Sequence, residues 1–275
     1  MSEPTAPPRP APWVRLLPGG SYAGRSRVLL ERSALVSRRG WLVFLSGFFE
    51  PVFYLLAMGQ GLGSLVGMLP GPDGTPIRYA AFIAPGLLAA SAMNGAVFDS
   101  TYNVFFKLRY AKLYDAMLAT PLGVVDIALG EIGWALVRGG LYSLGFLIVM
   151  GGFGLLVSPW ALLALPAALL VAFAFAAVGM AATSFMRGWQ DFDLVTLAVL
   201  PMFLFSTTFY PLSVYPPVVQ TLVQCLPLYH AVELMRGLTT GAVHAGMIGN
   251  LAYFVVMALL GVAVAARQLN ALLLR

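Results

Sequence analysis

The side chains that do chemistry are scarce in this sequence. Lysine occurs only at Lys107 and Lys112, preceded by Phe106 and Ala111. A phosphate-binding P-loop needs a lysine behind a glycine, in the order G-x-x-x-x-G-K-[ST], so that route to ATP is closed to this chain. Two histidines, His230 and His244, and a single cysteine, Cys225, supply neither a metal-ligand cluster nor an intramolecular disulfide. There is no G-x-S-x-G elbow and both histidines lie outside the expected spans, so an intramembrane serine protease is poorly supported. What remains is a handful of charges set in apolar sequence: Glu50, Asp99, Glu131 and Arg138. Charges inside a membrane are costly and mark functional sites by default. Glu131 and Arg138 share a helix face about 10 Å apart by rise, too far to bond, so each is expected to pair with another helix. Asp99 and Asp126 are expected near the inner interface, where solvation is cheap. Glu50 precedes Pro51, and proline beside a buried acid suggests a kink lining a cavity or a subunit contact.

The elements that must position these residues follow from composition. Of 275 residues, 60% are hydrophobic and 10% charged, against about 45–50% and 25% in soluble domains. With a mean hydropathy of +0.85, this excludes an ordinary soluble enzyme and a disordered chain. The net charge of +5 does not signal nucleic acid, because the basic residues sit between long apolar windows. Six windows reach the ~20 residues that a spanning helix needs: about 41–62, 79–104, 127–157, 160–186, 192–213 and 246–266. Thirteen of the 16 Lys and Arg residues fall on one side of these spans, which places both termini in the cytoplasm by the positive-inside rule. The predicted fold is an all-α polytopic membrane protein with six transmembrane helices. Residues 1–20 read as a disordered Pro-rich tail, 21–40 as a basic interfacial helix and 41–275 as the transmembrane domain.

Two further segments stand out. Phe106, Tyr110, Leu113 and Met117 lie at i, i+4, i+7 and i+11, one stripe of a helix, with Asp115 opposite and Lys112 towards the polar side. Thr120-Pro121 stops that helix. This amphipathic helix lies in the second cytoplasmic loop, where its polar face would meet a partner. Beyond the fifth span, Tyr210-Pro211 and Tyr215-Pro216-Pro217 break the chain into short stretches. One of them carries Tyr229, His230, Glu233 and Arg236, and together they read as a re-entrant or interfacial helix pair forming an outer lid.

Four stretches resemble the ABC type-2 transporter permease family, in particular its nodulation-protein J branch of lipo-oligosaccharide exporters. They are Glu50–Gly63 (EPVFYLLAMGQGLG), Tyr79–Asn94 (YAAFIAPGLLAASAMN), Tyr114–Glu131 (YDAMLATPLGVVDIALGE) and Pro227–Gly237 (PLYHAVELMRG). The resemblance implies six spans with cytoplasmic termini, an N-terminal interfacial helix, a coupling helix at about 105–119 and short re-entrant helices at about 217–237. It implies two separate ATPase subunits that carry ATP and Mg, no cofactor on this chain, and a second permease copy or paralogue completing a dimer.

The expected function is therefore the permease subunit of an ATP-binding-cassette exporter in the bacterial cytoplasmic membrane, moving an amphipathic, lipid-like, glycolipid or drug-like substrate. Phe106, Arg109, Tyr110, Lys112, Leu113, Tyr114, Asp115 and Met117 are the candidate ATPase-coupling residues. Phe48, Phe49, Tyr54, Phe203 and Phe205 are candidates for the substrate path. Tyr210, Pro211, Tyr229, His230, Glu233 and Arg236 are assigned to the lid. Membrane lipids are expected partners and nucleic acid is not. The alternatives are an ion-coupled secondary transporter using Glu50, Asp99 and Glu131, or a non-transporting scaffold.

Overall fold

The computed structural model describes residues 24–37, 49–71 and 74–273. The Pro-rich tail, Phe48 and residues 41–48 of the first expected span lie outside them.

Among the described residues the chain is helical apart from one short hairpin. Helix α1 (Ser26–Ser37) is followed by α2 (residues 49–54), which winds through π turns at Leu55–Leu62 into α3 (Gly63–Val66). A two-stranded antiparallel ribbon pairs β1 (Met68–Pro70) with β2 (Pro76–Arg78). Helix α4 (Tyr79–Phe98) continues through π turns Asp99–Asn103 and Phe106–Tyr110, and α5 (Leu113–Leu118) follows. Helix α6 (Val124–Gly152) turns back into a 3-10 stretch, Pro159–Leu163, and α7 (Ala164–Phe185). The chain ends with α8 (Asp191–Phe205), α9 (Pro217–Gln224), α10 (Pro227–Thr240) and α11 (Gly246–Leu273).

Among the described residues four helical runs are long and apolar enough to cross a membrane: Tyr79–Tyr110, Val124–Gly152, Pro159–Phe185 and Gly246–Leu273. The window at 192–213 yields less helix than expected. Helix α8 has 15 residues, about 22 Å of rise against a hydrocarbon core of ~30 Å. It stops because Ser206 and Thr208 hydrogen-bond to each other while Thr207 takes a left-handed φ of 61°, which no helix can continue.

Helix α4 is the axis of the bundle. Every residue from Phe82 to Met93 is buried, as expected of a helix apolar on all sides. It packs against α6, α7 and α10, while α7 packs against α11. Lipid tails are as apolar as leucine, so close packing rather than hydrophobicity must hold spanning helices together. Gly139 serves that end: a Cβ there would meet Ala172 Cβ at 2.9 Å and the Ala92 carbonyl oxygen at 3.1 Å, so α4, α6 and α7 meet where only glycine fits.

Candidate coupling site at the charged end of the bundle

The structure places the sequence-predicted charges on two facing helical lines. Arg138 Nη1 of α6 donates to Asp99 Oδ1 at 3.0 Å, and the Arg138 guanidinium also lies over the Phe98 ring at 5.5 Å. Asn103 Nδ2 donates to the same Asp99 oxygen. Lys107 Nζ bonds Glu131 Oε2 at 2.6 Å. Glu131 and Arg138 thus find separate partners, both on the extension of α4. The side chains of Asp99 and Arg138 are 2% and 9% exposed, and Asp126 is fully buried. The expectation that Asp99 and Asp126 are cheaply solvated is therefore corrected: both are enclosed by protein, Asp126 with donors on both oxygens, Asp99 with donors on Oδ1 while its buried Oδ2 has no hydrogen-bond partner among the described residues.

Asp126 works through its position at the start of α6. Oδ2 accepts the Gly123 N–H and caps the helix, and Oδ1 accepts the Arg25 N–H at 2.8 Å. Carboxylates favour helix N-termini because they satisfy orphan N–H groups and oppose the dipole. Arg25 Nη1 donates to the Pro121 carbonyl, so α1, the loop before α6 and α6 itself are joined at one point. Leu29 then packs on Gly130, where a Cβ would come within 2.7 Å of it. Val28, Leu35 and Val36 remain exposed, so the basic helix docks by one edge and offers the rest.

The expected continuous amphipathic helix over 105–119 is not formed. The chain is π-wound to Tyr110, Lys112 takes a left-handed φ of 44°, and α5 covers only Leu113–Leu118. The stripe is split as a result. Phe106 and Tyr110 are exposed, Leu113 is half-buried, and Met117 is buried. A 3.6-residue phase holds only along an unbroken α-helix, and the π turns with the Lys112 reversal reset it. Arg109, Lys112 and Asp115 do face outward. Tyr114 is buried, and that burial, followed by the neighbouring Glu131 carboxylate, pushes its phenol well above the ordinary range. A groove of about 410 Å³ runs between α1 and α5, rimmed by Arg25 and Arg32 and floored by Leu113 and Met117.

Sequence reasoning missed the ring cluster that fixes this loop. Phe105 meets Trp189 and Phe192 at centroid distances of 5.4 and 5.1 Å, and Tyr102 stacks on Phe192 at 4.2 Å. Arg109 Nη2 donates to the Met186 carbonyl at 2.9 Å, closing the C-terminal end of α7. The signal was the run of aromatics on both sides of the expected spans, at membrane-interface level.

Of the expected substrate-path residues, Tyr54 and Phe203 come together at 5.6 Å and share Phe209. Phe49 stacks on Phe53 instead, and Phe205 turns towards Tyr215. Glu50 is exposed and lines an open groove of about 430 Å³ with Phe49, Phe53, Tyr54 and Ala57.

The expected outer lid divides in two. Tyr210 and α9 are largely exposed, and Pro211 is half-buried. Helix α10 instead sinks into the bundle, with Leu228, Val232, Leu234 and Met235 buried. Arg236 bonds Glu233 Oε1 at 2.9 Å and the Thr207 carbonyl at 2.7 Å, and lies over Phe82 at 4.1 Å. His230 Nδ1 is 2.9 Å from Asn250 Oδ1, with its ring stacked on Tyr253 at 4.4 Å, and Tyr229 is half-buried beside it. Tyr229, His230, Glu233 and Arg236 therefore fasten rather than cover.

Comparison with known proteins agrees with the expected kinship. Residues 25–240 match the family model described as ABC-2 type transporter. The chain is 34% identical over 234 residues to nodulation protein J of Rhizobium leguminosarum bv. trifolii, covering 83% of this chain and 85% of that protein. It is 35% identical over 213 residues to nodulation protein J of Sinorhizobium fredii, with 77% of each chain covered. The corresponding protein of Rhizobium meliloti is 33% identical over 225 residues, covering 80% of this chain and 84% of its own.

Proposed function

Because the chain belongs to the ABC-2 type transporter family, we propose that it is the membrane permease subunit of an ATP-driven exporter in a bacterial cytoplasmic membrane. Six spans with both termini cytoplasmic, a second permease copy or paralogue, and two separate ATPase subunits complete the reading. The cargo is an amphipathic, lipid-like, glycolipid or drug-like molecule, moved along the face carrying Phe49, Tyr54 and Phe203. ATP and Mg belong to the partner.

One observation carries the reading. The loop after α4 is held by two ion pairs, Asp99–Arg138 and Lys107–Glu131, yet presents Arg109, Lys112 and Asp115 outward. A surface fixed to two spanning helices, with Lys112 and Asp115 exposed on its outer side, suits a partner that must push on the bundle. The pairing of Asp99 and Glu131 with basic partners weighs against their use as proton sites in an ion-coupled transporter.

The test is to co-express the chain with candidate ATP-binding-cassette ATPase subunits from its own genome, purify any complex and measure turnover as candidate lipids and drugs are added. A stable complex whose ATP hydrolysis rises with one of them supports the proposal. A chain that moves cargo alone in liposomes under a pH gradient, without ATP, would sink it.

A further inference from the structure

A further groove lies away from the proposed path. Helix α8 buries only Phe192 and Phe203 and stands off α7, leaving a space of about 590 Å³. Its walls are hydrocarbon: Val178, Ala182 and Phe185 from α7, and Leu194, Ala198 and Met202 from α8. The polar lining is Thr101, whose hydroxyl donates to the Val97 carbonyl, together with Arg187 and Asp191 at the mouth. Asp191 Oδ2 accepts the Arg187 and Gly188 N–H groups. Trp189, about half exposed, lies beside the mouth, the residue type that settles at the level of lipid headgroups. An apolar volume of this size with a few polar groups is the usual form of a ligand site.

We propose that this groove binds a membrane phospholipid with an aminoethyl-phosphate headgroup, one acyl chain between α7 and α8 and the headgroup at Arg187 and Asp191. The walls offer an acyl chain dispersion contacts and no polar partner. The Arg187 guanidinium is a fork donor suited to phosphate oxygens, and the Asp191 carboxylate is an acceptor for the primary ammonium. A mouth with one cation and one anion matches a zwitterion better than a net anion. A trimethylated ammonium cannot donate a hydrogen bond to Asp191. On the opposite face of α8, Leu197, Leu200 and Leu204 are exposed and do not line the groove. The inference rests on the membrane reading of these helices and is independent of ATP coupling.

The experiment is native mass spectrometry of the full chain released from nanodiscs containing equal phosphatidylethanolamine, phosphatidylcholine and phosphatidylglycerol. The expected result is selective retention of phosphatidylethanolamine by the unaltered chain. Arg187→Ala should lower that retention about tenfold, the effect of one charge-assisted bond. Ala182→Phe with Ala198→Phe should fill the groove and abolish it. Helicity and elution volume of each variant establish folding, and Leu197→Phe, on the outward face of α8, should retain lipid as the parent does. Equal retention of the three lipids, or full retention by a folded groove-filled variant, overturns the proposal. So does a lipid-free dimer that the groove-filling substitutions dissolve.

Discussion

The two ends of this bundle use charge in opposite ways. At the end carrying α1 and α5, the ion pairs Asp99–Arg138 and Lys107–Glu131 reach 39 and 24 residues along the sequence and join the line of α4 to α6. Around them Arg109, Lys112 and Asp115 stay exposed. At the end carrying α10, Arg236 is buried and pairs with Glu233 three residues away, taking its remaining contacts from Thr207 and Phe82. One end is braced so that it can present charge, and the other uses its charge to close itself. A buried pair is poor evidence of added stability, since desolvation offsets much of its attraction. What distinguishes these pairs is which elements they hold in register.

The comparison is broken most sharply at Arg138. Replacing it by methionine leaves the Asp99 carboxylate buried and without its cation, a change that costs about 3–5 kcal/mol. Thermal unfolding in detergent should register that loss, and Asp99→Asn with Arg138→Met should recover most of it, because no uncompensated charge remains. Equal instability of the single and double variants would mean the pair is not the brace. Arg236→Met should cost less, about 1.5–3 kcal/mol, the range for hydrogen bonds to a charged group. The reason is that Glu233, with 30% of its side chain exposed, retains access to polar surroundings. If Arg236→Met proved the worse of the two, the end carrying α10 would be the true keystone.

Lys112→Ala with Asp115→Ala sharpens the contrast from the other side. Both residues are exposed and make no long-range bond among the described residues, so stability should move by no more than about 0.5 kcal/mol. Recovery of the ATPase in a pull-down should nevertheless fall. Unchanged recovery and unchanged transport would remove α5 from the coupling surface.

How far the sequence reaches can be seen residue by residue. The long apolar runs are legible because a spanning helix must satisfy its own backbone. The partnering of Glu131 and Arg138 with another helix is legible because helix rise forbids their direct contact. The reversal at Lys112 carries no local mark, since a lysine seldom takes positive φ and neither glycine nor asparagine stands there. The π turns at Asp99–Asn103 are equally silent, and with them goes the phase of the stripe through Phe106 and Met117. The stop at Ser206 was written in three successive hydroxyl residues, but its meaning depends on Arg236 reaching the Thr207 carbonyl from 29 positions away. The depth of α10 escapes for the same reason: its charges look exposed until their partners are placed.

The smallest effect belongs to Asp191, which is neither brace nor fastener but sets where α8 begins. Two backbone N–H groups, from Arg187 and Gly188, hydrogen-bond to its carboxylate and hold it below the ordinary carboxyl value of 3.8. A carboxyl lowered on folding binds fewer protons in the native state than in the unfolded one. Its contribution is therefore present above the ordinary value and disappears as pH falls through the folded-state value. Acidification from pH 6 to 3 should loosen the turn between α7 and α8, read as a change in the Trp189 contribution to fluorescence, obtained by difference with Trp189→Phe. Asp191→Asn should flatten that pH dependence while leaving the Asp99–Arg138 brace intact. A titration of equal size in the Asn variant would place the sensitivity elsewhere. A flat profile in the parent chain would mean that ring contacts of Trp189 with Phe105 and Tyr110 alone hold the turn.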